Sequence, residues 1–309
     1  MENNFTDFLI ELTNISPRRG INEQKAAQSI KKYLTEAGVD FTTQEFETII
    51  PDIKKAELYA DGEKIPCLGA SFVSGHIDNK ATIVNATGPN VQNPMIIFNP
   101  VSLGVCLQQF KKYPAVTINR DSVIQLIMAN NIKGEVIVED FKFISQNILV
   151  GNTSNPENIV FAHYDSLIGG ALDNGGAVDV LYQLITDDKN LLINNLFVFI
   201  GSEEESTSSE DGLWGFNIFD KKYHELLLSC KKVIVLDGVG IGKPKFVSNH
   251  IDWVFGVDRD MDKISPKVLW MQNDQTIVMK YYHSDLDTIS ILKTEHLNEA
   301  KELLLSEIS

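Results

Sequence analysis

Residues 197–206 read FVFIGSEEES. Phe197, Val198, Phe199 and Ile200 form an apolar run without polar alternation, the pattern of a strand covered on both faces. The chain then passes Gly201-Ser202 and sets Glu203, Glu204 and Glu205 side by side. Like charges repel and are costly to desolvate, so three of them at the tip of a core strand need something that offsets them.

The same pattern recurs along the second half of the chain. NIVFAHYDS (158–166) runs into His163 and Asp165, and KKVIVLDGVG (231–240) into Asp237. TIVMKYYHSDLDT (276–288) is read as a fourth strand, with His283 at its tip. Between the first two lies DNGGAVDVLYQLI, a helix with Val178, Leu181 and Ile185 on one stripe and Asp173 in the loop before it. TEHLNEAKELLLSEI closes the chain as a helix striped by Leu297, Ala300 and Leu304. Strand–helix alternation of this kind predicts an α/β fold: a mixed, mostly parallel central sheet with helices on both faces.

The first half has a different rhythm. Residues 5–14 and 22–37 read as amphipathic helices, the second with Ala26, Ile30, Tyr33 and Leu34 on one face and a stop at Gly38. Residues 40–49 read as a strand. From 50 to 145 the chain shows short strands and turns, including a hairpin at Asp61-Gly62 and a short helix in DSVIQLIMANN. The expected organisation is one domain built from 1–49 and 146–309, with a smaller β-rich domain inserted at 50–145.

The chain has 309 residues, is 43% hydrophobic and carries a net charge of -15. That length supports a large core. The acidic balance argues against a nucleic-acid partner. No apolar run approaches the roughly 18 residues of a membrane span, and the start MENNFTDFLIEL lacks the features of a signal peptide. Cys67, Cys106 and Cys230 are scattered, so no disulfide framework is expected and a cytoplasmic location fits.

In open α/β sheets, ligands bind outside the carboxyl ends of the strands. His163, Asp173, Glu204, Asp237 and His283 are therefore expected to meet at one sheet edge, with Asp165 and Glu203 beside them. Each has an ordinary reading when taken alone. Asp173 would cap a helix, Asp165 and Asp237 would form turns, the glutamates would sit in a solvated loop, His283 would lie in a turn and Tyr282 in a half-buried strand. Their order and spacing are what separate them from these readings. Clustered carboxylates stay ionised in a crevice only if a cation offsets them, and imidazole with carboxylate suits zinc. Five ligands exceed the needs of one catalytic zinc; two ions sharing a carboxylate would use them all. Such sites hold their ions about 3.5–4 Å apart with a water as nucleophile, and a glutamate outside the ligand set could serve as its base.

The stretches NIVFAHYDS, GGALDNGGAVDVL, FVFIGSEE, VIVLDGVG and YYHSDLDT resemble, in order, the co-catalytic zinc aminopeptidase family. That family includes bacterial leucyl aminopeptidases and, more distantly, glutamate carboxypeptidase and transferrin receptor. RRGINEQKAAQSIKKYLTEAGVDFTTQEFE resembles its N-terminal helix and strand. YPAVTINRDSVIQLI and FISQNILVG resemble the protease-associated domain that many members insert. The resemblance implies a zinc-dependent aminopeptidase acting on peptides with a free N-terminus. His163 and Asp237 would hold one zinc, Glu204 and His283 the other, and Asp173 would bridge. Cobalt or manganese could substitute. Glu203 would be the general base, Asp165 would fix the tautomer of His163, and Tyr282 would help to stabilise the oxyanion. Glu205 is left to solvent. The inserted domain is expected to shape access to the site, its removal altering substrate range more than metal binding.

Other readings stay open. His76-Ile77-Asp78 is a second His-x-Asp, and in a related family such a histidine ahead of an inserted domain pairs with the bridging aspartate. Asp258, Asp260 and Asp262 look like a calcium loop but lack its glycine and distal glutamate. His224, His250 and His296 have no partners by spacing. The family's Glu-Glu is normally followed closely by Gly-Leu, whereas here ESTSSED (205–211) intervenes, so Ser209-Glu210 could fill the Glu-Glu slot instead. That registration would leave an inactive metal- or peptide-binding homologue. A single-zinc acyl transferase related to glutaminyl cyclases is the third reading.

Overall fold

A computed structural model describes residues 4–86, 91–107, 111–207 and 213–309. The first half contains α1 (Asp7–Asn14), α2 (Ile21–Glu36), β1 (Thr42–Ala60), β2 (Glu63–Ile65), β3 (Cys67–Gly69), β4 (Gly75–Asp78), β5 (Thr82–Asn85), β6 (Met95–Phe98), β7 (Ala115–Ile118) and α3 (Val123–Met128). There follow β8 (Ile132–Gly151), β9 (Asn158–His163), α4 (Gly176–Asp187), α5 (Leu191–Asn194), β10 (Asn195–Ile200), α6 (Trp214–Ser229) and β11 (Lys232–Leu236). The chain ends with β12 (Lys245–Val247), α7 (Met261–Ile264), β13 (Val268–Gln272), α8 (Gln275–Val278) and α9 (Thr294–Ile308).

The main sheet has the order β12-β13-β11-β9-β10-β8-β1-β2, with β4 also paired to β8. Its centre, β13-β11-β9-β10, is parallel, and the strands beyond it on both sides are antiparallel. Alternate residues of the central strands enter two different cores. Phe197 and Phe199 of β10, Val160 and Ala162 of β9, and Ile234 and Leu236 of β11 pack under α1, α2, α4 and α9. Leu196, Val198, Ile200, Ile159, Phe161, Val233 and Val235 pack against α6 and its neighbours. Burial on both faces is why these strands are apolar throughout, and the parallel run brings their carboxyl ends to one edge.

The hairpin at Asp61-Gly62 forms as expected, pairing Ala60 with Glu63. Both turn residues have positive φ, 48° and 90°, as a two-residue hairpin turn requires. The segment between residues 50 and 145 contains a second sheet, β3-β7-β6-β5, with its own apolar clusters. β1 and β8 run through both ends of that segment without a break, paired from Thr42↔Leu149 to Ala60↔Ile132. Leu167 and Ile168, from the loop after β9, join one of its clusters and seat it over the sheet edge.

One expected strand is not there. Residues 276–288 form α8 and a series of turns, because the Asp274 carboxylate accepts the Thr276 N–H at 2.9 Å and starts a helix. The fourth parallel strand is β13, VLWMQ, which pairs with β11. No helix among the described residues is long and apolar enough to cross a membrane.

Candidate metal centre

His163 ends β9, Glu203 and Glu204 follow β10, and Asp237 follows β11, so three parallel strand ends deliver four of the side chains. Ser202 makes the turn between β10 and the glutamates at a φ of 49°, in the left-handed region that favours glycine. Its hydroxyl donates to the buried Glu23 carboxylate at 3.1 Å, and Ser145 donates to the same oxygen.

Asp173 arrives from a kinked turn ahead of α4. The Asp287 carboxylate accepts backbone N–H groups from Gly170, Leu172 and Asp173 at 3.1, 2.6 and 3.1 Å. The Asn174 side-chain amide donates to the Leu236 carbonyl at 2.7 Å and pins the turn to the end of β11. His283 comes from the turns after α8, with a φ of 50°. Its Nδ1 lies 2.9 Å from the Leu107 carbonyl. A carbonyl only accepts, so Nδ1 carries a proton and Nε2 is the nitrogen that faces the acids and could ligate.

The structure brings all five expected ligands together. Asp173 Oδ1 lies 3.1 Å from His163 Nε2, and its other oxygen lies 3.3 Å from His283 Nε2. Glu204 Oε2 is 2.9 Å from His283 Nε2, and Asp237 Oδ2 is 4.0 Å from His163 Nε2. Three groups among the described residues could hold an ion. His163, Asp173 and Asp237 form one and Asp173, Glu204 and His283 another, and these two share Asp173. The third is His163, Glu203 and Glu204. Asp165 Oδ1 lies 3.4 Å from His163 Nδ1, and its second oxygen accepts the Glu204 N–H at 2.9 Å. Tyr282 stacks on the His283 ring, centroids 3.6 Å apart, and lines the cavity.

The electrostatics match this crowding. Burial opposes charge on the two histidines, but the acids around them outweigh it and hold both well above the ordinary imidazole range. Burial likewise opposes ionisation of Asp173, yet the bonds to both rings keep it below the usual carboxylate range. Burial, with Glu204, Asp165 and Asp237 adding to it, raises Glu203 well above that range. Burial and Asp173 push Asp237 up to about 8. These acids and rings share protons where a divalent cation would displace them. Glu204 Oε1 is buried with no hydrogen-bond partner among the described residues. An orphaned carboxylate oxygen and a His/Asp/Glu donor set both fit a zinc-like cation.

A cavity of about 330 Å³ opens over the cluster. Its other walls include Leu213, Trp253, Val254, Trp270, Val278 and Met279, with Ala86 from the inserted segment.

Several expectations need correction. Glu205 is buried at 4% exposure, its carboxylate 2.5 Å from Arg19 Nε. Burial, against the pull of Arg19, pushes it up to about 7. His76 lies on β4 with its side chain 83% exposed, 3.8 Å from Glu135, and does not reach Asp173. Asp260 pairs with His224 and Lys263, and the Asp258–Asp262 run holds no metal-ligand group among the described residues. His224 does have partners, Asp220 at 2.6 Å and Asp260 at 3.0 Å. His250 stacks on Trp253 and His296 pairs with Glu299. Ser209-Glu210 lies outside the described residues.

Three supporting groups escape the sequence reading. Arg18 is fully buried, donating to the Tyr164 and Gly170 carbonyls at 2.5 and 2.7 Å within the field of Asp287, Asp165, Asp173 and Glu204. Glu23 and Asp287 are the others. Only Asp287 left a trace, four residues after His283 in HSDLDT.

Residues 147–263 match the model of a family described as Peptidase family M28. The matched segment contains every expected site residue except Tyr282 and His283. The fold is that of BSAP, a zinc aminopeptidase from Bacillus subtilis: 18% identity, TM-score 0.71, covering 100% of this chain and 95% of that one. It is also similar to an aminopeptidase from Aneurinibacillus sp. strain AM-1, at 16% identity and TM-score 0.64, covering 98% and 92%. A glutaminyl cyclase of Porphyromonas gingivalis is similar at 13% identity and TM-score 0.53, covering 97% and 95%. No curated protein matches the chain in sequence.

Proposed function

We propose that this chain, which belongs to Peptidase family M28 over residues 147–263, is a zinc-dependent aminopeptidase that works with two cations. The observation that carries this reading is the Asp173 carboxylate, one oxygen facing His163 and the other facing His283. His163 and Asp237 would hold one ion, Glu204 and His283 the other, and Asp173 both. Cobalt or manganese are expected substitutes. When bound, the cations supply Lewis-acid polarisation of the scissile carbonyl and activation of the attacking water.

The chain's own groups account for the remainder. Glu203 sits buried beside the ligand groups, and a glutamate outside the ligand set is the candidate base for the attacking water. It accepts the proton of the attacking water and passes it to the leaving amine. The Tyr282 hydroxyl keeps its proton, because burial and the surrounding acids raise its pKa well above 10, and it is the candidate donor to the oxyanion. Asp165 accepts the Glu204 backbone N–H and faces the His163 ring at 3.4 Å, where it would fix the tautomer. Glu203 and Asp237 give the cavity an acidic wall suited to the α-ammonium of a peptide N-terminus. A cytoplasmic location belongs to this reading, in keeping with three scattered cysteines without disulfide spacing.

Similarity of fold to glutaminyl cyclases supports a second reading, a single-zinc acyl transferase. The test is Glu203→Gln, which keeps the shape and removes the base. Hydrolysis of aminoacyl-amide substrates should fall by about 10²–10⁴-fold with zinc content unchanged. Undiminished turnover refutes Glu203 as the base. Cyclisation of N-terminal glutamine without peptide hydrolysis would favour the second reading. A folded, zinc-loaded wild-type chain that does neither would be a binding homologue.

A further inference from the structure

The inserted segment was expected to govern access rather than metal binding. Ala86 does line the cavity, and further contacts of the segment reach the turns that carry an expected ligand. After β6, residues 99–107 cross the turns that carry His283 and are stitched to them by four hydrogen bonds, one of them part of a β-bridge. The Asn99 amide donates to the Met279 carbonyl and the Ser102 hydroxyl to the Lys280 carbonyl, each at 2.9 Å. Cys106 and Ser284 form a β-bridge. The Leu107 N–H donates to the His283 carbonyl at 2.9 Å, and the His283 ring donates from Nδ1 to the Leu107 carbonyl at 2.9 Å. The strap is tied equally firmly to the inserted sheet. Thr117 of β7 donates from its hydroxyl to the Cys106 carbonyl, and the Asn119 amide donates to the Leu103 carbonyl, both at 2.6 Å. Asn99, Ser102, Cys106, Leu107 and Thr117 are all buried.

We propose that this strap is a positioning element of the metal centre: the Leu107 carbonyl, supplied by the inserted segment, sets the tautomer and aim of His283. It thereby couples the seat of the insert to the affinity of the Asp173–Glu204–His283 cation site. This rests on the two-cation reading above. The physical argument is short. A ligating histidine almost always donates its other ring N–H to a fixed acceptor, and removal of such a partner typically weakens metal binding 10- to 100-fold. Here that partner is a main-chain atom, so its position depends on the side chains that anchor the strap. For His163 the group facing Nδ1 is Asp165 Oδ1, 3.4 Å away and from the same strand end as its histidine. The two cation sites thus differ in which part of the chain steadies them.

The test uses the full chain with zinc as the calorimetric probe and Co2+ absorption as a check. Asn99→Ala/Ser102→Ala loosens the strap from the site, and Thr117→Val loosens it from the inserted sheet. Both should weaken one of the two zinc-binding steps about 10-fold or more and leave the other unchanged. In an Asp237→Ala background the weakening should persist; in a His283→Ala background it should vanish. A purely structural lesion would lower both steps, or would act the same with and without His283, and either result overturns the proposal. So do two unaltered steps in the folded variants, which leave the two-cation reading standing. A wild-type chain that binds no zinc defeats that reading itself, and the coupling with it.

Discussion

Asp179 shows how a single residue can bear a cost that no ligand relieves. It lies on α4 at 1% exposure, its carboxylate accepting from the Thr6 hydroxyl at 2.5 Å and the Gln183 amide at 2.8 Å. Burial outweighs these bonds and pushes its pKa from 3.8 up to about 6. The folded chain then holds this proton more tightly than the unfolded one. Stability is unaffected while both states are protonated, falls as pH rises from about 4 to about 6, and stays lowered above that. Asp179→Asn should therefore stabilise the chain at pH 7 by up to about 3 kcal/mol and have little effect near pH 4. Urea denaturation at both pH values checks this; an equal effect at both would contradict it. At this scale the sequence was informative where a side chain sits at a strand tip, as with His163, Glu203, Glu204 and Asp237. It wrongly left Glu205 to solvent and was silent on Arg18 and Glu23; the environments of all three are set by partners more than 120 residues away: Arg19, the Tyr164 and Gly170 carbonyls, and Ser145. Charge alone reads as exposure until the fold supplies a partner.

At the scale of elements, apolar runs and turn residues identified β9, β10, β11, α4 and α9, because strands covered on both faces and striped helices leave strong periodic signals. The segment 276–288 misled for the same reason: Ile277 and Val278 look strand-like, but the Asp274 cap starts a helix there and β13 takes the place in the sheet. His283 consequently depends on turns rather than on strand geometry. Those turns and the Asp173 turn hold one another through Asp287, which accepts three N–H groups. Asp287→Ala would leave the Leu172 and Asp173 donors buried without a partner, at about 1–3 kcal/mol each, while the Gly170 N–H keeps the Asp287 main-chain carbonyl. The expected result is a loss of at least about 2 kcal/mol in denaturant unfolding, with weaker zinc uptake because Asp173 loses its support. Asp287→Asn, which keeps one carbonyl acceptor, should fall between. A neutral Asp287→Ala variant would show that the turn stands without it.

For the molecule as a whole, a parallel centre flanked by antiparallel strands carries the candidate site on one edge, and β1 and β8 extend from that sheet into the inserted segment. The alternation of strands and helices made the main architecture legible. The continuity of β1 and β8 was not, because Pro51 and the register shift near Ile53 and Lys55 interrupt the local pattern while the ladder continues across them. The placement of the insert over the site was hidden for the same kind of reason, since it depends on contacts such as Leu107 with His283 that no local pattern encodes. The most direct measurement of the account is anomalous scattering at the zinc edge from crystals of the zinc-loaded chain. Two peaks about 3.5–4 Å apart, one beside His163 and Asp237, the other beside Glu204 and His283, with Asp173 touching both, are predicted. A single peak, or peaks away from Asp173, would contradict it.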